Sequence, residues 1–234
     1  MNTKILSILT ATAATAALLG AAAPAHAFSF GTNGITFGQD QDVEFNFKES
    51  HGAFTSSLAI YEINGFALTS VQSLFAETRA SDNGSANEWK GTLGRTVLGS
   101  GQQVFKFLAN KVYTLGLSSN NGMVYSTSGL NLNVSSRGSQ QAVFGAATPL
   151  WNALGRETTN AFRSAGSYTS GNASLSNGGT LISFDDRGGG NDKDFQDFTV
   201  SAEAVPEPMT MTGLALGFGG LVAARRRRAS KTVA

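Results

Sequence analysis

The sequence feature that most constrains the fold of this chain is a two-residue alternation of apolar and polar side chains. It occurs in VEFNF at 43–47, in LNLNV at 130–134 and in FTVSAEA at 198–204. Successive side chains of a β-strand point to opposite faces of its sheet, so this alternation predicts strands with one buried face and one face in water. Each of the three segments is therefore predicted to be a strand.

Further strands are predicted where the chain is apolar enough to lie in a core between two sheets. These segments are SLAIYEI at 57–63, QVFKFL at 103–108, VYTLGL at 112–117 and GTLISF at 179–184. Clusters of turn-forming residues separate them, such as SDNGSAN at 81–87 and SSNNG at 118–122. Many short strands with regular turns predict an all-β fold, an antiparallel β-sandwich of jelly-roll-like topology.

The first 27 residues have the three parts of a secretory signal peptide. Lys4 supplies a positive charge, an alanine-rich apolar stretch follows, and Ala25–Ala27 form a cleavage site of small residues. We therefore predict a signal helix at 1–27 that signal peptidase removes. A retained anchor helix is the alternative, which the cleavage site disfavours because an anchor would end in a charged stop.

The other end of the chain predicts a second, C-terminal hydrophobic helix. An apolar run of 16 residues at 209–224 follows two prolines and precedes four consecutive arginines. As a helix it would span about 24 Å, which is short for a membrane span but can be extended by snorkelling arginines. The arginines would stay on the cytoplasmic side, so the preceding domain would lie outside the membrane before processing.

VPEP, the small-residue apolar run and the arginine cluster together resemble the PEP-CTERM sorting signal of exported bacterial proteins. The resemblance covers 205–230. It implies that a membrane exosortase reads the Pro-Glu-Pro motif and processes the anchor. It also implies delivery to the cell envelope, the outer surface or the extracellular space, where that family is linked to extracellular polysaccharide. The motif residues would be Pro206, Glu207, Pro208, Arg225, Arg226, Arg227 and Arg228. An ordinary C-terminal anchor is the alternative and has the same topology.

Between the two terminal segments, residues 28–204 have the length of one ordinary domain. They contain 11 basic and 15 acidic side chains, a net charge of −4, although the whole chain is +1. Phosphate binding needs a basic surface, so the composition disfavours a nucleic-acid partner. The chain has no cysteine, which excludes cysteine nucleophiles and zinc–thiolate sites.

An acidic loop at 185–197 is the strongest candidate for a binding site. Three consecutive glycines at 188–190 allow it to turn sharply. Its carboxylates repel one another unless a cation or solvation compensates, and oxygen ligands in a flexible loop suit calcium. The predicted ligands are Asp185, Asp186, Asp192, Asp194 and Asp197. A solvated acidic hairpin is the alternative, and the spacing differs from that of an EF-hand.

The acidic loop also resembles the C-terminal signature of an uncharacterised β-rich domain family of bacterial surface proteins. That signature reads F-E-D, a glycine-rich stretch, and D-x-D-[FY]-N-D. In this sequence Asp185 stands where Glu is usual and Gln196 where Asn is usual. The strands upstream also fit, so the resemblance covers most of 42–204. It implies a calcium-binding β-sandwich and no known activity.

Candidate catalytic residues are sparse. His51 is the only histidine of the predicted domain and lies between two predicted strands, and a catalytic triad needs a geometry that spacing does not establish. The glutamates form no evident pair of the kind that glycosidases use. They include Glu44, Glu49, Glu62, Glu77, Glu88 and Glu157. We therefore predict that the protein is not an enzyme.

Trp89, in the polar segment SANEWKG, is a candidate for stacking against a sugar, with a position at the sandwich edge as the alternative.

Taken together, the sequence predicts an exported structural or adhesive module of the cell surface or extracellular matrix, stabilised by calcium. A carbohydrate-binding module of the extracellular polysaccharide is the alternative.

Overall fold

The computed structural model describes residues 28–51, 54–81, 91–131, 139–145, 173–176, 179–186, 195 and 197–206. Within these residues the chain is all-β, with eleven strands and one short 3-10 helix at Ser128–Asn131. The strands are β1 (Phe28–Gly31), β2 (Gly34–Phe37), β3 (Gln41–Ser50), β4 (Ser56–Asn64), β5 (Ala67–Ala76), β6 (Gln102–Phe107), β7 (Val112–Ser119), β8 (Gly122–Tyr125), β9 (Ala142–Phe144), β10 (Thr180–Phe184) and β11 (Phe198–Ala204).

The strands form two antiparallel sheets. The first sheet has six strands in the order β1-β2-β7-β4-β5, with β8 also paired to β7. The second has five strands in the order β6-β3-β11-β10-β9. Short hairpins join β1 to β2, β4 to β5 and β7 to β8, whereas the neighbours β3 and β11 come from opposite ends of the domain.

The inward faces of both sheets share one apolar core. Phe107 of the second sheet meets Tyr113 of the first with ring centroids 5.1 Å apart, and Phe47 meets Phe75 at 6.0 Å. Burying each such side chain contributes about 1.5–3 kcal/mol, so these contacts hold the sheets together. The all-β prediction and the alternation predicted for 43–47 are confirmed.

Strand β5 is an edge strand of the first sheet, and the sequence pattern did not predict it. Its pairing with β4 is irregular at two places, between Leu58 and Ala59 and between Ile60 and Tyr61. Such bulges twist an edge strand and discourage pairing with a second molecule. The side-chain amide of Gln72 donates a hydrogen bond to the Val104 carbonyl at 3.2 Å, which links this edge to β6 of the second sheet.

Two predictions from the alternation are wrong. Residues 128–131 form the 3-10 helix, so the strand predicted at 130–134 does not begin at residue 130, and residues 132–134 lie outside the described residues. Asn131 explains the difference, because its side chain bonds the backbone of Tyr125 and Ser139 and so draws this segment out of an extended conformation. Thr199, on the face of β11 predicted to be in water, is fully buried and shares a hydrogen bond of 2.8 Å with Ser183.

The part of the chain described above contains no helix that is both long enough and apolar enough to cross a membrane. The predicted signal helix at 1–27 and the predicted tail helix lie outside the described residues.

Candidate functional site

Four carboxylates lie together at one end of the two sheets. Asp185 and Asp186 directly follow β10, Asp197 directly precedes its partner β11, and Glu77 directly follows β5. Antiparallel pairing of β10 and β11 places the two ends of the acidic loop side by side. All four residues are buried, with relative exposures of 0%, 3%, 8% and 7% in that order. We call Asp185, Asp186, Asp197 and Glu77 the carboxylate cluster.

Glu77 is held by groups from two other strands. Its Oε1 accepts a hydrogen bond from the Ser50 hydroxyl at 2.5 Å, and its Oε2 accepts one from the Ser56 backbone N–H at 3.0 Å. Ser50 ends β3 of the second sheet, whereas Ser56 begins β4 of the first. Glu77 therefore ties the two sheets together at this end.

Asp186 is held by the same region of the first sheet. The Ser56 hydroxyl donates to Asp186 Oδ2 at 3.3 Å, and the Ser119 hydroxyl donates to the Asp186 carbonyl at 3.2 Å. The Asp186 backbone N–H donates to Asp197 Oδ2 at 2.8 Å. These bonds fix the entrance and exit of the acidic loop against β4 and β7.

The environment of the cluster favours neutral carboxyl groups. Burial raises the pKa of Glu77 to about 7, against the opposing effect of the hydrogen bonds from Ser50 and Ser56. Burial also raises the pKa of Asp186 to about 7, and repulsion by Asp185 and Glu77 adds to that effect, while hydrogen bonding with Asp197 and Ser56 opposes it. Desolvation and like charge are the two ordinary causes of such shifts.

The cluster can respond to neutral pH in two ways. It can keep protons on some carboxyl groups, or it can take up a cation that replaces them. Its donors are carboxylate and hydroxyl oxygens, which fit a hard divalent cation such as calcium. Among the described residues, no three His, Asp or Glu side chains are placed to hold a metal ion by themselves. The other two predicted ligands, Asp192 and Asp194, lie outside the described residues.

His51 lies beside the cluster, between β3 and β4 as predicted. It is 2% exposed, and its backbone N–H donates to the Asp197 carbonyl at 3.0 Å. This bond continues the pairing of β3 and β11 up to the exit of the acidic loop. It therefore helps to position Asp197.

The sequence predicted three of the cluster residues, but it did not predict Glu77, its partners Ser50 and Ser56, or Ser119, which bonds Asp186. The glutamates are scattered along the sequence, and no spacing distinguishes Glu77 from the others as a site residue. Recognition of β5 as a strand would have placed Glu77 at a strand end, beside the start of its hairpin partner β4.

The described part of the predicted sorting segment consists of Val205 and Pro206. The Val205 backbone N–H donates to the Asp42 carbonyl at 2.9 Å, and the Val205 carbonyl accepts from Gln41 Nε2 at 3.3 Å. Pro206 follows directly and is exposed. The remaining predicted site residues lie outside the described residues; they are Trp89, Glu207, Pro208, Arg225, Arg226, Arg227 and Arg228.

No protein-family model, curated protein or solved structure matches this chain. The carboxylate cluster and the exposed exit of the chain at Pro206 therefore carry the functional interpretation.

Proposed function

We propose that this protein is an exported structural or adhesive module of the cell surface or extracellular matrix, stabilised by calcium at the carboxylate cluster. The observation that carries this proposal is the burial of three aspartates from the two ends of one acidic loop, together with Glu77. Buried carboxylates without compensation are costly, and a divalent cation is a means of compensation available outside the cell.

The residues proposed to hold calcium are Asp185, Asp186 and Asp197 from the ends of the loop, with Asp192 and Asp194 from its middle. The ion would supply positive charge where Asp185 and Glu77 now repel Asp186. Because Ser56 bonds both Glu77 and Asp186, calcium at the loop would also stabilise the contact between the two sheets. A cation that binds only the folded state at a hundredfold excess over its Kd adds about 2.7 kcal/mol.

The proposed route to the surface is export by the signal at 1–27, followed by exosortase processing at Pro206, Glu207 and Pro208. In support, Val205 is the last of the described residues with a backbone hydrogen bond to the sheets, and Pro206, which follows it, is exposed. The first residue of the Pro-Glu-Pro motif is thus accessible to a protease, because it lies outside the sheets. We also propose that the paired sheets form a jelly-roll-like sandwich, because sheet neighbours such as β3 and β11 are distant in sequence.

We propose a non-enzymatic role for the carboxylate cluster. A raised pKa near 7 also occurs in catalytic acids, but a catalytic acid must reach the substrate that it protonates. Asp185 and Asp186 are 0% and 3% exposed, which favours a structural contribution. The carbohydrate-binding alternative rests on Trp89, which lies outside the described residues.

Calorimetric titration of calcium into the full, chelator-treated chain tests the proposal. We expect saturable binding that is lost in Asp186→Asn/Asp197→Asn and in Asp192→Ala/Asp194→Ala. The second pair alters the loop without removing the hydrogen bonds of the buried pair. Asp42→Asn is the matched control, because Asp42 pairs with Lys106 at the far end of β3 and is not part of the cluster. Absence of binding at millimolar calcium, or equal binding by all variants, would overturn the proposal.

A further inference from the structure

Two tyrosines meet on the outer face of the first sheet. Tyr61 lies on β4 next to Ile60, which is fully buried in the core, so the Tyr61 side chain points away from the core. Tyr125 ends β8. The ring centroids are 5.8 Å apart and the ring planes are nearly perpendicular, at 88°. Both side chains are partly exposed, so the pair forms an aromatic corner open to solvent.

A glycine of β7 forms the floor beneath this pair. Gly116 pairs with Ala59 on one side and with Tyr125 on the other. A Cβ atom at Gly116 would lie 2.5 Å from Cε2 of Tyr61 and 3.2 Å from Cε1 of Tyr125. Glycine inside a strand weakens the strand and commonly marks a close approach, which here is the approach of two rings to the backbone. We call Tyr61, Tyr125 and Gly116 the tyrosine platform.

The backbone of Tyr125 is fixed by a buried side chain. Asn131 Oδ1 accepts from the Tyr125 N–H at 2.9 Å, and Asn131 Nδ2 donates to the Tyr125 carbonyl at 2.7 Å. The next residue, Ser126, shares a hydrogen bond of 3.2 Å with Thr114 of β7. A ring held in this way loses little conformational entropy when it meets a ligand.

On the described strands around the platform, the face that carries Tyr61 has no charged side chain and carries hydroxyl groups. Glu62 is the one charged residue of β4, β5, β7 and β8, and it alternates onto the side opposite Tyr61. Its carboxylate is held by Lys111 Nζ at 2.9 Å. Ser70 and Thr114 are the register partners of Tyr61 on the two neighbouring strands. Ser70 is exposed, whereas Thr114 is fully buried and its hydroxyl is bonded to Ser126. An aromatic surface with hydroxyl groups and without charge is complementary to an uncharged, hydroxyl-rich ligand.

We propose that the tyrosine platform binds a neutral polysaccharide, with a sugar ring stacked on one tyrosine and the other ring as a side wall. Burial and the neighbouring Tyr61 raise the pKa of Tyr125, so its hydroxyl stays protonated and able to donate a hydrogen bond. The ligand lies across β4, β7 and β8. Five residues of β4, about 16 Å of strand, separate Tyr61 from Ser56 at the carboxylate cluster. Polysaccharide binding therefore does not depend on calcium.

Electrophoresis of the full chain through native gels that contain hydroxyethylcellulose, galactomannan or dextran tests the proposal. We expect at least one polysaccharide to retard the protein. Tyr61→Ala and Tyr125→Ala each weaken the apparent affinity about tenfold, as the loss of a stacking contact predicts. Phe66→Ala is the matched control, because Phe66 is a fully exposed aromatic residue at the β4–β5 turn, and it retains the affinity of the unaltered chain.

Gly116→Ala provides a test that leaves both aromatic rings in place. The added methyl group displaces the Tyr61 ring from the floor, so we expect weaker retardation from a chain whose thermal unfolding remains cooperative. Absence of retardation by all three polysaccharides would overturn the proposal. So would equal retardation of the tyrosine variants and the unaltered chain, or a concentration-dependent dimer that Tyr61→Ala dissociates, since a second copy would then occupy the platform.

Discussion

The Glu77 carboxylate accepts a hydrogen bond from the Ser50 hydroxyl, with 2.5 Å between the two oxygen atoms, and this bond joins the two sheets where β3 and β5 end. Within the first sheet, the Glu77 N–H donates to the Ser56 carbonyl at 2.9 Å, which extends the pairing of β4 and β5 as far as Glu77. Both carboxylate oxygens of Glu77 are thus used by the fold itself. Glu77 therefore has a structural role beside the acidic loop, because both of its carboxylate oxygens already accept hydrogen bonds.

Replacement of Glu77 by alanine should destabilise the protein by about 2–4 kcal/mol, because it leaves the Ser50 hydroxyl and the Ser56 N–H buried without their acceptor. Glu77→Gln should cost less than about 1 kcal/mol. Its amide oxygen can accept from Ser56 and its NH₂ group can donate to Ser50. Urea unfolding of the full chain in the presence of a chelator measures both values. Equal stability of the alanine variant and the unaltered chain would contradict this role.

Without calcium, the protein should be more stable at pH 5 than at pH 8. The pKa of Glu77 rises from 4.5 to about 7 on folding, and that of Asp186 rises from 3.8 to about 7. Between the unfolded and the folded pKa values of these groups, the folded state binds more protons than the unfolded state. The free energy of unfolding therefore falls as the pH rises. The stability that these two carboxyl groups contribute is complete below their unfolded pKa values of 4.5 and 3.8, and it is lost as the pH rises through about 7.

Chemical unfolding at both pH values, with chelator present, measures this difference. Glu77→Gln serves as the control, since it removes one of the two titrations and should make the fall in stability with pH less steep. The comparison between the variant and the unaltered chain separates the Glu77 titration from every other group that titrates between pH 5 and pH 8. Stability that rises between pH 5 and pH 8 in the absence of calcium would contradict the raised pKa values.

The strands with strong apolar character were predictable from the sequence, and the strand that matters most to the site was not. Strands β3, β4, β7 and β10 bury apolar side chains, and their patterns predict them. Strand β5 is mostly exposed and contains two irregular positions, so its sequence has no regular period. Because β5 was not recognised as a strand, the position of Glu77 next to the acidic loop was not predicted.

The acidic loop was found from its density of aspartates, but the burial of its ends was not predicted. That burial depends on Ser56 and Ser119, which are 130 and 67 residues away from Asp186 in sequence. The tyrosine platform was missed for a similar reason. SLAIYEI was predicted to be a core strand. The burial of Ile60 places Tyr61 on the outer face, and the pairing of Gly116 with Ala59 and Tyr125 brings the two tyrosines together. A turn fixes the register of the two strands that it joins, and no hairpin turn joins β4 to β7.

Calcium affinity should fall as the pH is lowered from 8 to 6, because calcium and protons compete for the same carboxyl groups. The pKa of Asp186 near 7 places this competition inside the range that is accessible to titration. Calorimetry of the full chain at the two pH values, in buffers with different ionisation enthalpies, should also detect proton release on binding at pH 6. An affinity that does not change with pH would show that calcium, if bound, is held by carboxylates with ordinary pKa values.

Gly91→Ala should destabilise the protein by about 1–3 kcal/mol and weaken calcium binding together with stability. Gly91 and Ser50 exchange backbone hydrogen bonds of 2.8 and 3.1 Å, and a Cβ atom at Gly91 would collide with the Ser50 hydroxyl oxygen and lie 2.8 Å from Thr96 Oγ1. Relief of that collision moves Ser50 away from Glu77. Gly129→Ala is the control, because a Cβ atom there meets no atom within 4 Å. Equal Tm values for the two variants would show that the fold tolerates displacement of Ser50, and that the Ser50–Glu77 bond does not hold the sheets together.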